Sequence, residues 1–117
     1  MLLAVDHIDL KVPNLEEAEG FFLGIGMRVV RRTADSRRSV ELALPGDHQI
    51  VFEIREDPSV SGTVIDHVAF RADSAGTVDE LKTAGVEFTK EHHLVVDTGR
   101  TVSNFVDAAG GKWQIAE

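Results

Sequence analysis

Apolar and polar positions alternate with period two along VDHIDLKV, residues 5–12, and again along IDHVAFRA, residues 65–72. That period marks a strand with two unlike faces. In the first stretch Ile8, Leu10 and Val12 share one face, and Val5, His7, Asp9 and Lys11 the other. In the second, Val68, Phe70 and Ala72 oppose Ile65, His67, Ala69 and Arg71. The stretches repeat at a spacing of 60 residues, pairing Asp6 with Asp66 and His7 with His67. A helical period follows each, through Leu15, Ala18 and Phe22 and through Val78, Leu81 and Ala84. Asn14 and Ser74 are placed to cap these helices, and Gly26 and Gly85 to end them. Strand-like runs then appear as MRVVRRT, SVELAL and HQIVFEI in the first half and VEFTK, TVSNFVD and KWQIA in the second. The turns PGD at 45–47 and DAAGG at 107–111 punctuate them.

Both halves therefore read βαβββ. The predicted fold class is α+β, a single domain over 1–117 with module one at 1–57, a joint at 57–63 and module two at 64–117. A helix covers one face of each small sheet, so the other face needs a second sheet. Two modules paired into a curved mixed sheet enclosing a cleft satisfy that need. By alternation Asp6 and Asp66 fall on the helix side, where they are expected to sit near strand ends or to take local hydrogen bonds.

Composition narrows the setting. The chain has 43% hydrophobic residues, and no apolar run approaches the roughly 18 residues of a membrane helix. The start MLLAV shows no export signal, so cytoplasmic localisation is expected. The absence of cysteine excludes disulfides and thiolate ligands. A net charge of −8 disfavours nucleic acid and anionic membrane as partners. The local exception is RVVRRTADSRR, with Arg28, Arg31, Arg32, Arg37 and Arg38. It reads as a solvated hairpin or, more sharply, as a positive rim for an anionic substrate.

Alternation carried into the last strand of each half puts Gln49, Val51, Glu53 and Arg55 on the face of His7, and Lys112, Gln114 and Ala116 on the face of His67. Glu53 follows His7 by 46 residues and Gln114 follows His67 by 47. His7, Glu53, His67 and Gln114 form a credible N2O2 set for a divalent first-row metal ion. The alternative is a metal-free pocket with polar lining. Asp9, Lys11, Glu41, Gln49, Arg71 and Ser103 share the cleft faces, and Arg100 is placed to meet an anionic group. His92 and His93 read as a solvated pair in a loop near the cleft mouth or, more sharply, as a proton shuttle, and His48 as an exposed turn residue.

The chain resembles the vicinal oxygen chelate superfamily, which includes glyoxalase I, extradiol dioxygenases, fosfomycin-resistance thiol transferases, methylmalonyl-CoA epimerase and bleomycin-resistance proteins. The resemblance rests on DHIDLKVPNLEEAEGFF with GIGMRVV, on IVFEI, on IDHVAFRADS, and on the ending GRTVSNFVDAAGGKWQIAE. It implies a homodimer in many members and a divalent ion, among Zn, Ni, Co, Mn and Fe, held by His7, Glu53, His67 and Gln114. Gln114 stands where most metal-binding members have Glu, and an amide is no general base. Glu53 is left as the expected proton acceptor. DAAGG also replaces the family's Asp-Pro-Asp-Gly turn. The expected function is that of a metal-dependent lyase, isomerase or dioxygenase acting on a small oxygen-bearing substrate, with Asp9, Lys11, Gln49, Arg71 and Arg100 binding that substrate. The alternative is a metal-free protein that binds a small molecule or antibiotic. Against it, aromatics are only 6% of residues and tyrosine is absent, which leaves few rings for stacking.

Overall fold

A computed structural model describes residues 1–117. In chain order the elements are β1 (Leu2–Val12), α1 (Leu15–Gly24), β2 (Arg28–Arg32), a 3-10 turn (Asp35–Arg37), β3 (Ser39–Ala43), β4 (Val51–Glu56), β5 (Val64–Ala72), α2 (Thr77–Thr83), β6 (Glu87–Val95), β7 (Arg100–Val106) and β8 (Lys112–Ala116). The fold class is α+β, with eight strands of mixed direction and two helices, as the repeated pattern predicts. The chain divides into two compact units, one of His7–Asp66 and one of Met1–Asp6 with His67–Glu117.

In the His7–Asp66 unit the strands lie in the order β2-β3-β4-β1, with β1 parallel to β4 and the other pairs antiparallel. Strands β1 and β4 run parallel because α1 carries the chain back across the sheet before β2 begins. Val12, Val40, Leu42 and Ile54 point to one face and pack with Met27 and with Leu15, Ala18 and Phe22 of α1. The helix starts where the sequence predicts. Asn14 Oδ1 accepts from the Glu17 N–H at 2.9 Å, and Glu56 Oε2 accepts from the Leu15 N–H at 3.0 Å. Two of the first-turn N–H groups that a helix cannot satisfy internally are thereby met. Arg38 clamps the same corner, gripping Glu16 through two contacts of 2.8 Å and Glu56 through contacts of 2.7 and 3.1 Å. Its guanidinium, helped by the Leu15 N–H, draws the Glu56 carboxyl down to about 2.

In the other unit the strands run in the order β5-β8-β7-β6, with β5 parallel to β8 and the remaining pairs antiparallel. The repeat thus returns the same connectivity. Two details differ from the sequence reading. Ser74 does not cap α2; Gly76 precedes the helix, and Thr77 N–H turns back to the Ser74 carbonyl at 3.2 Å. Strand β6 runs to Val95 and so contains His92 and His93, where a loop was expected. Two register shifts, between Phe88 and Lys90 and between Lys90 and His93, break the alternation that would have revealed its length. The DAAGG turn is organised by Asp107, whose carboxylate accepts from the Ala109 and Gly111 N–H groups, each at 2.9 Å. A Cβ at Gly111 would collide with that carboxylate and push it out of its turn contacts.

Candidate functional site

The face of the His7–Asp66 unit opposite α1 is polar and yet buried. Strand pairing sets Asp9 beside Glu53, and Glu53 beside Glu41, so three carboxylates form one row across β1, β4 and β3. Relative exposures are 1% for Asp9, 3% for Glu53 and 1% for Glu41, and His7 on the same face is 1% exposed. Carboxylates withdrawn from water persist only with partners, and two cations are in place. Arg55 grips Asp9 with Nε at 2.9 and 3.1 Å and Nη2 at 2.9 Å. Arg37 donates from Nη2 to Glu53 Oε1 at 2.8 Å, while Glu53 Oε2 lies 3.9 Å from His7 Nε2.

His7 and Glu53, which the 46-residue spacing selects, are therefore neighbours. Asp9 and Lys11, expected to bind substrate, are held in ion pairs: Asp9 by Arg55, and Lys11 by Asp66 at 3.1 Å and Asp57 at 3.8 Å. Asp66 also lies 3.4 Å from Arg55, so it is turned towards the cations and away from the helix side. That corrects the alternation argument, which weakens near the start of a strand where only a few residues define the faces. Gln49 is exposed in the turn before β4, which begins at Val51 and not at His48.

In the other unit Gln114 lies opposite Ala69 on β5 and Asn104 on β7. Its side-chain N–H donates to Asn104 Oδ1 at 2.9 Å, which leaves the amide oxygen as its remaining acceptor. His67 is half-buried on β5 and Arg71 is exposed. Arg100 Nε sits 3.4 Å from Asp6. His92 Nδ1 pairs with Glu117 at 2.6 Å, and His48 is exposed with φ 57°.

The sequence does not single out Asn104, places Glu41 on a cleft face without a role, and names Arg37 only as one of five arginines in a run. The arginine run gave the signal for Arg37, but the 3-10 turn at Asp35–Arg37 and the left-handed Arg38 (φ 52°) decide which arginine turns inward. Arg32 and Arg38 instead pair with Glu19 and with Glu16 and Glu56.

Residues 4–115 match the family model of the Glyoxalase/Bleomycin resistance protein/Dioxygenase superfamily. The chain belongs to that superfamily, the vicinal oxygen chelate group its sequence resembles. No curated protein matches it significantly. Among solved structures it is similar to a variant of methylmalonyl-CoA epimerase from Streptomyces coelicolor in complex with 2-nitronate-propionyl-CoA, at TM-score 0.80 and 15% identity, covering 99% of this chain and 97% of that one. It is also similar to methylmalonyl-CoA epimerase from Mycobacterium tuberculosis, at TM-score 0.74 and 24% identity, covering 99% and 88%. A third similar structure, at TM-score 0.79 and 15% identity and covering 99% and 94%, is a methylmalonyl-CoA epimerase with methylmalonyl-CoA and NH4+.

Proposed function

We propose that the protein is an isomerase-type enzyme that moves a proton at the carbon next to a carbonyl of a small oxygen-bearing substrate, and that it works with a divalent metal ion. The observation that carries this reading is the buried row Asp9–Glu53–Glu41 beside His7. Three carboxylates in one buried row are a poor way to build a stable sheet and a good way to hold proton-transfer groups. Superfamily membership and the epimerase-like fold support the same reaction class.

The donors fit a first-row divalent ion. The imidazole of His7 and the carboxylate of Glu53 are buried in one unit with their ligand atoms 3.9 Å apart, a nitrogen–oxygen donor pair, and in the other unit Asn104 holds the Gln114 amide nitrogen and leaves its oxygen as a donor. We assign His7 and Glu53 as the donor pair of the first repeat, and His67 and Gln114 as that of the second. A bound ion would polarise the substrate carbonyl and stabilise the enolate charge. Glu53 is fixed by Arg37 on one oxygen and faces His7 with the other, which suits a ligand better than the proton acceptor expected from sequence. Glu41, next to it on β3, is the residue we assign to take the proton. Arg37 keeps Glu53 in place and adds positive charge at the site.

The test is proton exchange at C2 of methylmalonyl-CoA in deuterium oxide, followed by NMR, with the protein loaded in turn with Zn, Ni, Co, Mn and Fe. Deuterium uptake above the buffer rate with at least one metal supports the reading. Uptake at the buffer rate with all five would reject this substrate, and the same result with a panel of 2-substituted acyl thioesters and α-hydroxyketones would reject the reaction class.

A further inference from the structure

The seven aromatic residues of the chain are few but not scattered. Phe88 faces Phe105 across β6 and β7, Phe105 faces Trp113 across β7 and β8, and Phe70 on β5 stacks on Trp113. Four of the seven therefore form one transverse row in the unit of Met1–Asp6 and His67–Glu117. The Trp113 and Phe70 rings are nearly parallel, at 17° with centroids 5.8 Å apart, and the Phe88 and Phe105 centroids are 5.4 Å apart. In the His7–Asp66 unit, α1 covers the comparable sheet face with Phe22 against Phe52. Helix α2 has seven residues where α1 has ten, and only Thr77 and Val78 of it are buried. The row is left partly open beside the end of α2.

The opening is a pocket of about 570 Å³ with Phe70, Phe105, Trp113 and Val86 among its walls. That volume lies within the range of small-molecule sites, roughly 300–1,000 Å³. Its charged lining residues are Glu87 and Asp107, with no cationic side chain among them. Asp107 is held at the Trp113 edge, accepting from the indole Nε1–H at 2.8 Å, so the indole face is fixed and the carboxylate stays beside it. Flat rings and carboxylates together favour a flat cation, through stacking, cation–π attraction and charge pairing. The net charge of −8 attracts such a ligand from a distance.

We propose that this pocket is a second binding site, separate from the carboxylate row, for a small organic cation with a fused aromatic body, its rings against Trp113, Phe70 and Phe105 and its positive group towards Glu87 and Asp107. The site does not depend on the isomerase reading, because it uses none of the residues assigned to it.

Three probes of equal size test the idea on the whole chain: 2-naphthylmethylammonium, 2-naphthylmethanol and 2-naphthoate. Binding is read by calorimetry and by the one indole N–H resonance, which belongs to the only tryptophan, Trp113. The ammonium ion should bind with Kd of about 1 mM or tighter, shift that resonance, and outcompete the alcohol, with the carboxylate weakest. Glu87→Gln, at an exposed position, should weaken the ammonium ion about three- to fivefold and leave the alcohol unchanged. Glu41→Gln should change neither. Equal affinity for all three probes, an unmoved indole resonance, or equal loss of cation and alcohol in Glu87→Gln would each overturn the proposal.

Discussion

Arg37 donates to Glu53 on the oxygen distal to His7, so a single carboxylate joins a guanidinium on one side and faces an imidazole on the other. The guanidinium comes from a turn and the carboxylate from a sheet strand, so the turn at Asp35–Arg37 has a direct hand in shaping the site. Replacing Arg37 with Gln leaves a buried carboxylate without that partner. The expected cost is about 1–3 kcal/mol in a denaturant titration, below the range for fully buried pairs because Arg37 keeps 25% side-chain exposure. A change under about 0.5 kcal/mol would show that the pair contributes only as a surface contact does.

Asp9, expected from the sequence to contact substrate, is held by Arg55 through contacts of 2.9 and 3.1 Å. A double-mutant cycle with Asp9→Asn and Arg55→Gln is expected to give a coupling energy of about 1–3 kcal/mol. A coupling near zero would return Asp9 to the list of groups available to a ligand.

Glu56 should contribute to the loss of stability in acid. Arg38 and the Leu15 N–H lower its carboxyl from 4.5 to about 2, and a lowered folded-state value stabilises the fold above the unfolded value. That contribution is lost as pH falls from about 4.5 towards about 2. Wild-type stability should fall through this window, and Glu56→Gln should flatten the fall, as followed by circular dichroism. Equal slopes in the two proteins would contradict the assignment. Asn14→Ala, which removes the other cap of α1, should cost about 1 kcal/mol at neutral pH.

Metal binding to the folded state should raise thermal stability. For an ion at a hundred times its Kd the gain is about 2.7 kcal/mol. The gain should be present in wild type and reduced in His7→Ala and in Glu53→Gln. An equal gain in all three proteins, seen by calorimetry, would place the ion elsewhere.

Much of this was legible in the alternating pattern. Ile8 to Val12 and Ile54 are apolar at every second position because one sheet face meets α1, so strands, faces and the repeat follow from the sequence. The His7–Glu53 proximity follows too, since parallel pairing of β1 with β4 converts a spacing into a neighbour relation. What the pattern does not carry is the direction of long side chains outside regular strands. Arg37 leaves a 3-10 turn, Asp66 sits near a strand start, and the bulged β6 hides its length behind broken alternation. Nor does a count of 6% aromatics show that four of the rings share one row across β6, β7, β8 and β5.

The proposed function gives Glu41 of the buried carboxylate row a part in proton transfer and none in stability. The most direct measurement is the rate of solvent deuterium uptake by substrate with metal-loaded Glu41→Gln, per mole of folded protein, beside its denaturant stability. The expected result is a rate at least about 100-fold below wild type with stability equal to or above wild type. Wild-type uptake by a protein that Glu41→Gln has destabilised would contradict it, because Glu41 would then be a structural acid.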